Sequence, residues 1–243
     1  IGNKFSEGLI EVKNDEKKWG YINKAGEVVI PFKFQRASSF SEGLASVLFD
    51  GKYGYINRKG EFVIKPQFTQ ALDFSEGLAA VKLGGQLMTG EPFQAIDDEE
   101  FKKARWYFID KAGNFTIKLR NDVCGIGQFS EDLALVLIRN KKGDFRVGFV
   151  NKLGKFVADP TFIDASNFSE GFALVFLTEK VENPSFIDKN GKVVFSAKNS
   201  TLGSFRNGLA RIQKGYTGVY YFDDDYKQGY IDKTGKYIWQ PTK

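Results

Sequence analysis

Acidic residues are the side chains in this sequence whose types and spacing could do chemistry. A glutamate recurs as Glu42, Glu76, Glu131 and Glu170, and a ladder of carboxylates can hold cations or a cationic partner. The same recurrence fits a plainer role, since a carboxylate can accept backbone N–H bonds at a turn and solve one backbone problem repeatedly. Asp223, Asp224 and Asp225 are hard oxygen donors of the kind calcium takes, but their spacing does not match a twelve-residue calcium loop, and a polar hairpin tip explains them equally well. Two carboxylates about 5–10 Å apart across a cleft would cleave glycosidic bonds, and no pair here is marked by its spacing. The 243 residues include no histidine, which removes serine–histidine triads and histidine-based metal or acid–base sites. One cysteine, Cys124, removes intramolecular disulfides and thiolate zinc sites, and reads as a small buried hydrophobe. The glycines sit singly in turns and not between a strand and a helix, so no phosphate-cradling loop is present. These residues point to a protein without catalysis, metal or cofactor.

The elements that must position these residues are set by a repeat. Phe5-Ser6-Glu7-Gly8-Leu9 returns at Phe40, Phe74, Phe129, Phe168 and Phe205, with start-to-start spacings of 35, 34, 55, 39 and 37. A second phrase, Trp19-Gly20-Tyr21-Ile22-Asn23-Lys24-Ala25-Gly26, interleaves with it and returns at 53–60, 106–113, 147–154, 184–191 and 228–235. In the second repeat, Leu44 to Phe49 reads as a strand and Asp50-Gly51 as a type I′ hairpin turn. Tyr53 to Asn57 is a second strand, Asn57 to Gly60 a turn, and Phe62 to Ile64 a third strand that Pro66 ends. Alternation puts Tyr53 and Tyr55 on one face and Gly54 and Ile56 on the other. A sheet apolar on both faces needs cover on both, and the neighbouring repeats supply it. Gly20, Gly54, Gly148 and Gly229 mark close approach of a neighbouring ring or backbone. Phe68, Ala71 and Phe74 of the connector, Gln67 to Gly77, plug the gap between sheets.

With Trp19-Gly20, the Gly-Tyr-Ile-Asn/Asp-Lys-x-Gly phrase and Phe-Ser-Glu-Gly-Leu-Ala, the chain resembles the bacterial WG-repeat (KWG-repeat) family. The resemblance is strong over 1–81, clear in 147–175 and 205–240, and degraded in 101–136 and 184–197. It implies an array that mediates binding and carries no catalytic residues over. Tryptophan has become Tyr53, Val147 and Gln228 at the named position.

The expected fold is all-β: six tandem three-stranded antiparallel meanders stacked as an open solenoid-like array, with a closed six-bladed propeller-like ring as the alternative. One array spans 1–243, in repeats of about 5–39, 40–73, 74–128 (with an insertion at 82–105), 129–167, 168–204 and 205–243. With Ile1 at its head, the chain reads as a segment cut from a longer protein. The loop between the first and second strands varies in length from repeat to repeat, so insertions there project from one edge, often the binding face of repeat proteins. Candidate binding residues are Met88, Phe93, Asp97, Asp98 and Phe101 in the long insertion, where Asp97 to Arg105 suits one or two helical turns. Tyr216, Tyr220, Tyr221, Asp224 and Tyr226 are the candidates in the loop at 213–227. The expected partner is another protein, with a polysaccharide or the cell envelope as the alternative ligand of exposed aromatics. Charge is spread along the chain, with 35 basic against 30 acidic residues and a net +5, so no nucleic-acid face is expected. No run approaches the ~18 apolar residues of a membrane span. The envelope or secreted space is favoured over the cytoplasm.

Overall fold

The computed structural model describes residues 4–85, 104–177, 183–214 and 227–242. Their regular structure is β throughout, arranged in six antiparallel sheets. The chain divides into two compact units, residues 1–123 and 124–243.

In the first unit, sheet I is Leu9–Lys13, Trp19–Asn23 and Val28–Phe34. Sheet II is Arg36–Ala37, Ala45–Phe49, Lys52–Ile56 and Phe62–Phe68. Sheet III is Gln70–Ala71, Ala79–Leu83, Arg105–Ile109 and Phe115–Lys118. The second unit repeats the plan. Sheet IV is Val123–Ser130, Leu133–Arg139, Phe145–Asn151 and Phe156–Phe162. Sheet V is Asp164–Ala165, Phe172–Phe176, Pro184–Asp188 and Val193–Ser196. Sheet VI is Ser200–Leu202, Leu209–Lys214, Lys227–Asp232 and Tyr237–Thr242.

Five sheets have four strands instead of the expected three, because each connector contributes an edge strand. Arg36 and Ala37, for example, pair with Leu48 and Val47 before the chain reaches the Phe40 plug. Pro66 does not end its strand. Tyr53 pairs with Phe68 and Tyr55 with Ile64, so the third strand carries two extra residues opposite Gly54 and continues past the proline in a bulge. Proline is tolerated there because it has no N–H to give to a ladder. A Cβ added at Gly54 would lie 2.6 Å from the Ile64 carbonyl oxygen and 2.8 Å from the Pro66 nitrogen. The expected close approach is therefore real, and its source is the next strand of the same sheet. Gly20 and Gly148 face the same two-residue bulge, while opposite Gly229 the third strand carries one extra residue. In sheets III and V, Tyr107 and Ser185 replace the glycine, no proline follows, and the third strand runs four residues without that bulge.

Within each unit the sheets pack face to face around the plugging phenylalanines. Tyr55, Ile64 and Phe68 of sheet II meet Ala79, Val81 and Ile109 of sheet III with Phe74 between them, while Ala45, Val47 and Ile56 turn to Tyr21, Ile30 and Phe34 of sheet I. Phe168 plays this role between sheets IV and V, and Phe205 between V and VI. Each plug lies against the second-strand aromatic, with ring centroids 4.9 Å apart for Tyr21–Phe40, Tyr55–Phe74 and Phe149–Phe168, and 4.7 Å for Phe186–Phe205. Such tilted pairs add to the burial of apolar area.

Candidate functional site

Glu7, Glu42, Glu131 and Glu170 of the recurring carboxylates join adjoining sheets. In each Ser-Glu-Gly-Leu turn the serine and leucine exchange backbone hydrogen bonds, as Ser41 and Leu44 do at 2.9 and 3.1 Å. The two residues between have positive φ, 53° at Glu42 and 88° at Gly43, the geometry of a type I′ turn. Glutamate is strained in that region, and its side chain supplies compensation from the adjoining sheet. The Glu42 carboxylate accepts the Gly77 N–H and lies 3.1 Å from Lys111 Nζ. Glu131 takes the Gly171 N–H and Lys189, and Glu170 the Gly208 N–H and Lys233. Glu7 accepts the Gly43 N–H. The serine beside each of these four glutamates donates to the next plug's carbonyl, as Ser6 does to Phe40 at 2.6 Å and Ser41 to Phe74 at 2.7 Å. The second turn is self-contained. Asn57 Oδ1 accepts the N–H groups of Lys59 and Glu61, and Asp110, Asn151, Asp188 and Asp232 repeat the arrangement. The lysine partners of the glutamates were missed in the sequence, although a basic residue follows that Asn or Asp in all six turns.

The opposite edge holds the variable loops. Asp50-Gly51 forms the expected two-residue turn, both residues at positive φ, with Phe49 paired to Lys52. All ten candidate residues, Met88, Phe93, Asp97, Asp98, Phe101, Tyr216, Tyr220, Tyr221, Asp224 and Tyr226, lie outside the described residues, as does most of the helical turn expected up to Arg105. Arg105 itself opens a strand. Cys124 is half-buried, not buried, and its thiol donates to the Leu137 carbonyl at 3.3 Å.

The root of the long insertion is described, and it is unlike its counterparts. Gln70 and Trp106 both pair with Lys82, which puts the three side chains in one row on one face of sheet III. Sheets II and IV have Leu48 and Leu137 where Lys82 stands, and sheet I has Lys13 opposite Trp19, but Lys13 is exposed. Lys82 is buried, which is rare for lysine unless it is paired, and it has interactions of its own. Among the described residues, the buried side-chain polar atoms without a hydrogen-bond partner are Gln70 Oε1 and Trp106 Nε1. Thr69 Oγ1 donates to Gly84 O at 2.8 Å and ties down the loop's first residue. The row thus offers one acceptor and one N–H donor that no described residue uses. The lysine interrupting an apolar strand position was its signal in the sequence.

Among the described residues no three or more Asp, Glu or Cys side chains gather as a metal site, and no helix is long and apolar enough to cross a membrane.

A model of WG-containing repeats matches residues 19–53, 53–86, 148–180 and 185–226, more than half the chain. Two unmatched stretches, 87–147 and 227–243, hold the third and sixth copies of the Trp-Gly phrase. No curated protein matches the sequence. Among solved structures, Hsv2 of Kluyveromyces lactis with a loop replaced by a Gly-Ser linker is similar at 10% identity and TM-score 0.53, over 93% of this chain and 80% of that one. The β-propeller domain of the trilobed protease of Pyrococcus furiosus, described as having an open velcro topology, is similar at 12% identity and TM-score 0.51, over 100% and 84%. At these identities the likeness is one of fold: sheets of the β-propeller kind.

Proposed function

The chain belongs to the WG-repeat family, and from that premise we propose that it is a non-enzymatic scaffold that binds another protein through the variable-loop edge, centred on residues 84–104. The observation that carries this reading is the row beneath that loop. A fold that satisfies its recurring polar groups so thoroughly leaves Gln70 Oε1 and Trp106 Nε1 unmatched where the repeat is interrupted. Buried polar groups are nearly always paired, so two exceptions in one row favour a partner there. A peptide group supplies both complements, a carbonyl for the indole N–H and an N–H for the amide oxygen. Affinity capture from lysate of the source organism tests this, with the intact chain beside a variant whose residues 86–103 are replaced by a short Gly-Ser linker. One protein retained near stoichiometry by the intact chain and lost by the variant supports the reading. Equal retention by both would move the site elsewhere.

A further inference from the structure

We propose that the face of sheet VI turned away from sheet V binds an acidic polysaccharide, with Trp239 and Tyr230 as the stacking platform and Arg211 as the carboxylate anchor. Register places the residues. Arg211 pairs with Tyr230 and Tyr230 with Trp239, forming one row across the sheet, and Thr201, Gln213 and Gln228 form the next row on the same face. Tyr230 and Trp239 are stacked, with an interplanar angle of 28° and centroids 6.2 Å apart. Trp239 is 51% exposed, whereas its counterparts Ile30, Ile64, Ile117 and Ala158 are 0–6% exposed.

Where Arg211 stands, sheets II, III and V carry the buried Ser46, Ala80 and Leu174, and sheet I carries Glu11, buried and held by the Ser39 hydroxyl, whereas Arg211 is exposed. A guanidinium under a neighbouring sheet would be a buried charge needing a partner. Left exposed, it gives this face a positive charge and a planar fork that matches a carboxylate. The neighbouring row adds two amides, each hydrogen-bonded to a hydroxyl: Thr201 Oγ1 donates to Gln213 Oε1 at 3.3 Å, and Gln228 Nε2 to the Tyr230 hydroxyl at 3.3 Å. Flat aromatic surface for the C–H face of a pyranose, amides for its hydroxyls and one cation select a uronate-containing chain over a neutral one. This site is separate from the loop root in sheet III.

Affinity electrophoresis of the intact chain, Trp239→Ala and Arg211→Gln through gels containing polygalacturonate, dextran or dextran sulfate tests the proposal. Both side chains are exposed, and near-UV circular dichroism checks that each variant keeps the fold. The intact chain should be retarded by polygalacturonate, Trp239→Ala should lose at least ten-fold in apparent affinity and Arg211→Gln at least five-fold, and dextran should retard none of them. Replacing residues 86–103 should leave retardation unchanged, so failure here and failure of the protein-binding reading are told apart. No retardation, or retardation by polygalacturonate that neither substitution weakens, would overturn the proposal. So would equal retardation by dextran sulfate that Trp239→Ala does not reduce, which is attraction of a basic protein to any polyanion. A dimer that Trp239→Ala converts to a monomer would show instead that the face meets a second copy.

Discussion

Glu42 is partly withdrawn from water, which raises its pKa, but the Lys111 ammonium and the N–H groups of Gly77 and Glu76 outweigh that and hold it below the usual range. A carboxyl depressed in the folded state stabilises the fold above its unfolded pKa, about 4.3, and that stability is lost as pH falls through the folded value. The urea midpoint should therefore fall as the solution is taken from about pH 5 towards pH 3, and Glu42→Gln should flatten the fall. An unchanged slope in that variant would mean the clamp carries no stability. Tyrosine gives the opposite limb. Burial, and after it the Asp73 charge, pushes the Tyr55 phenol well above its usual value, and its hydroxyl donates to the Leu72 carbonyl at 2.6 Å. Tyr21 is raised by burial, then by Glu11 and Asp73. A raised phenol stabilises the fold fully below about pH 10, and that stability is lost as pH rises beyond it. Tyrosinate absorbance at 295 nm should appear for these two only with unfolding, and Tyr55→Phe should weaken the alkaline loss.

At the scale of the element, one residue type decides whether the third strand bulges. Gly54→Ala drives a Cβ against backbone atoms that cannot swing aside, so it should cost about 3 kcal/mol or more, the upper end of over-packing. Ser185→Ala, at the matching position of a sheet without that bulge, loses the 2.8 Å contact with Ser196 Oγ and should cost about 1 kcal/mol. Urea unfolding of both variants checks the contrast, and equal losses would detach the glycine from the bulge. Much of this was legible in the sequence. The strands, the Asp50-Gly51 turn and the phenylalanine plugs follow from alternation and turn chemistry, which are local. The edge strands were not legible, because Arg36-Ala37 has no periodicity of its own and becomes a strand only through pairing with Val47 and Leu48. The bulge was half legible: the glycine announced a close approach, but proline was read by its usual rule as a stop.

For the whole molecule, the repeat separates what holds the chain together from what it displays. A residue that returns in nearly every repeat, such as the serine and glutamate of the connector turn, has its partner in the next sheet. Side chains that vary from repeat to repeat, Gln70 at the insertion or Arg211 and Trp239 on sheet VI, are those the repeat does not prescribe. Single-sequence reading found the first group because recurrence is visible without coordinates. It placed the second only by loop length, because knowing which atoms stay unpaired requires the register of adjoining strands. Hydrogen–deuterium exchange of the chain, with and without the protein it captures, tests this division most directly. The account expects new protection at 84–104 and at the strand ends beneath it, Leu83 and Arg105, with the Ser-Glu-Gly-Leu turns at 41–44 and 169–172 unchanged. Protection centred on those turns, with the insertion unaffected, would contradict it.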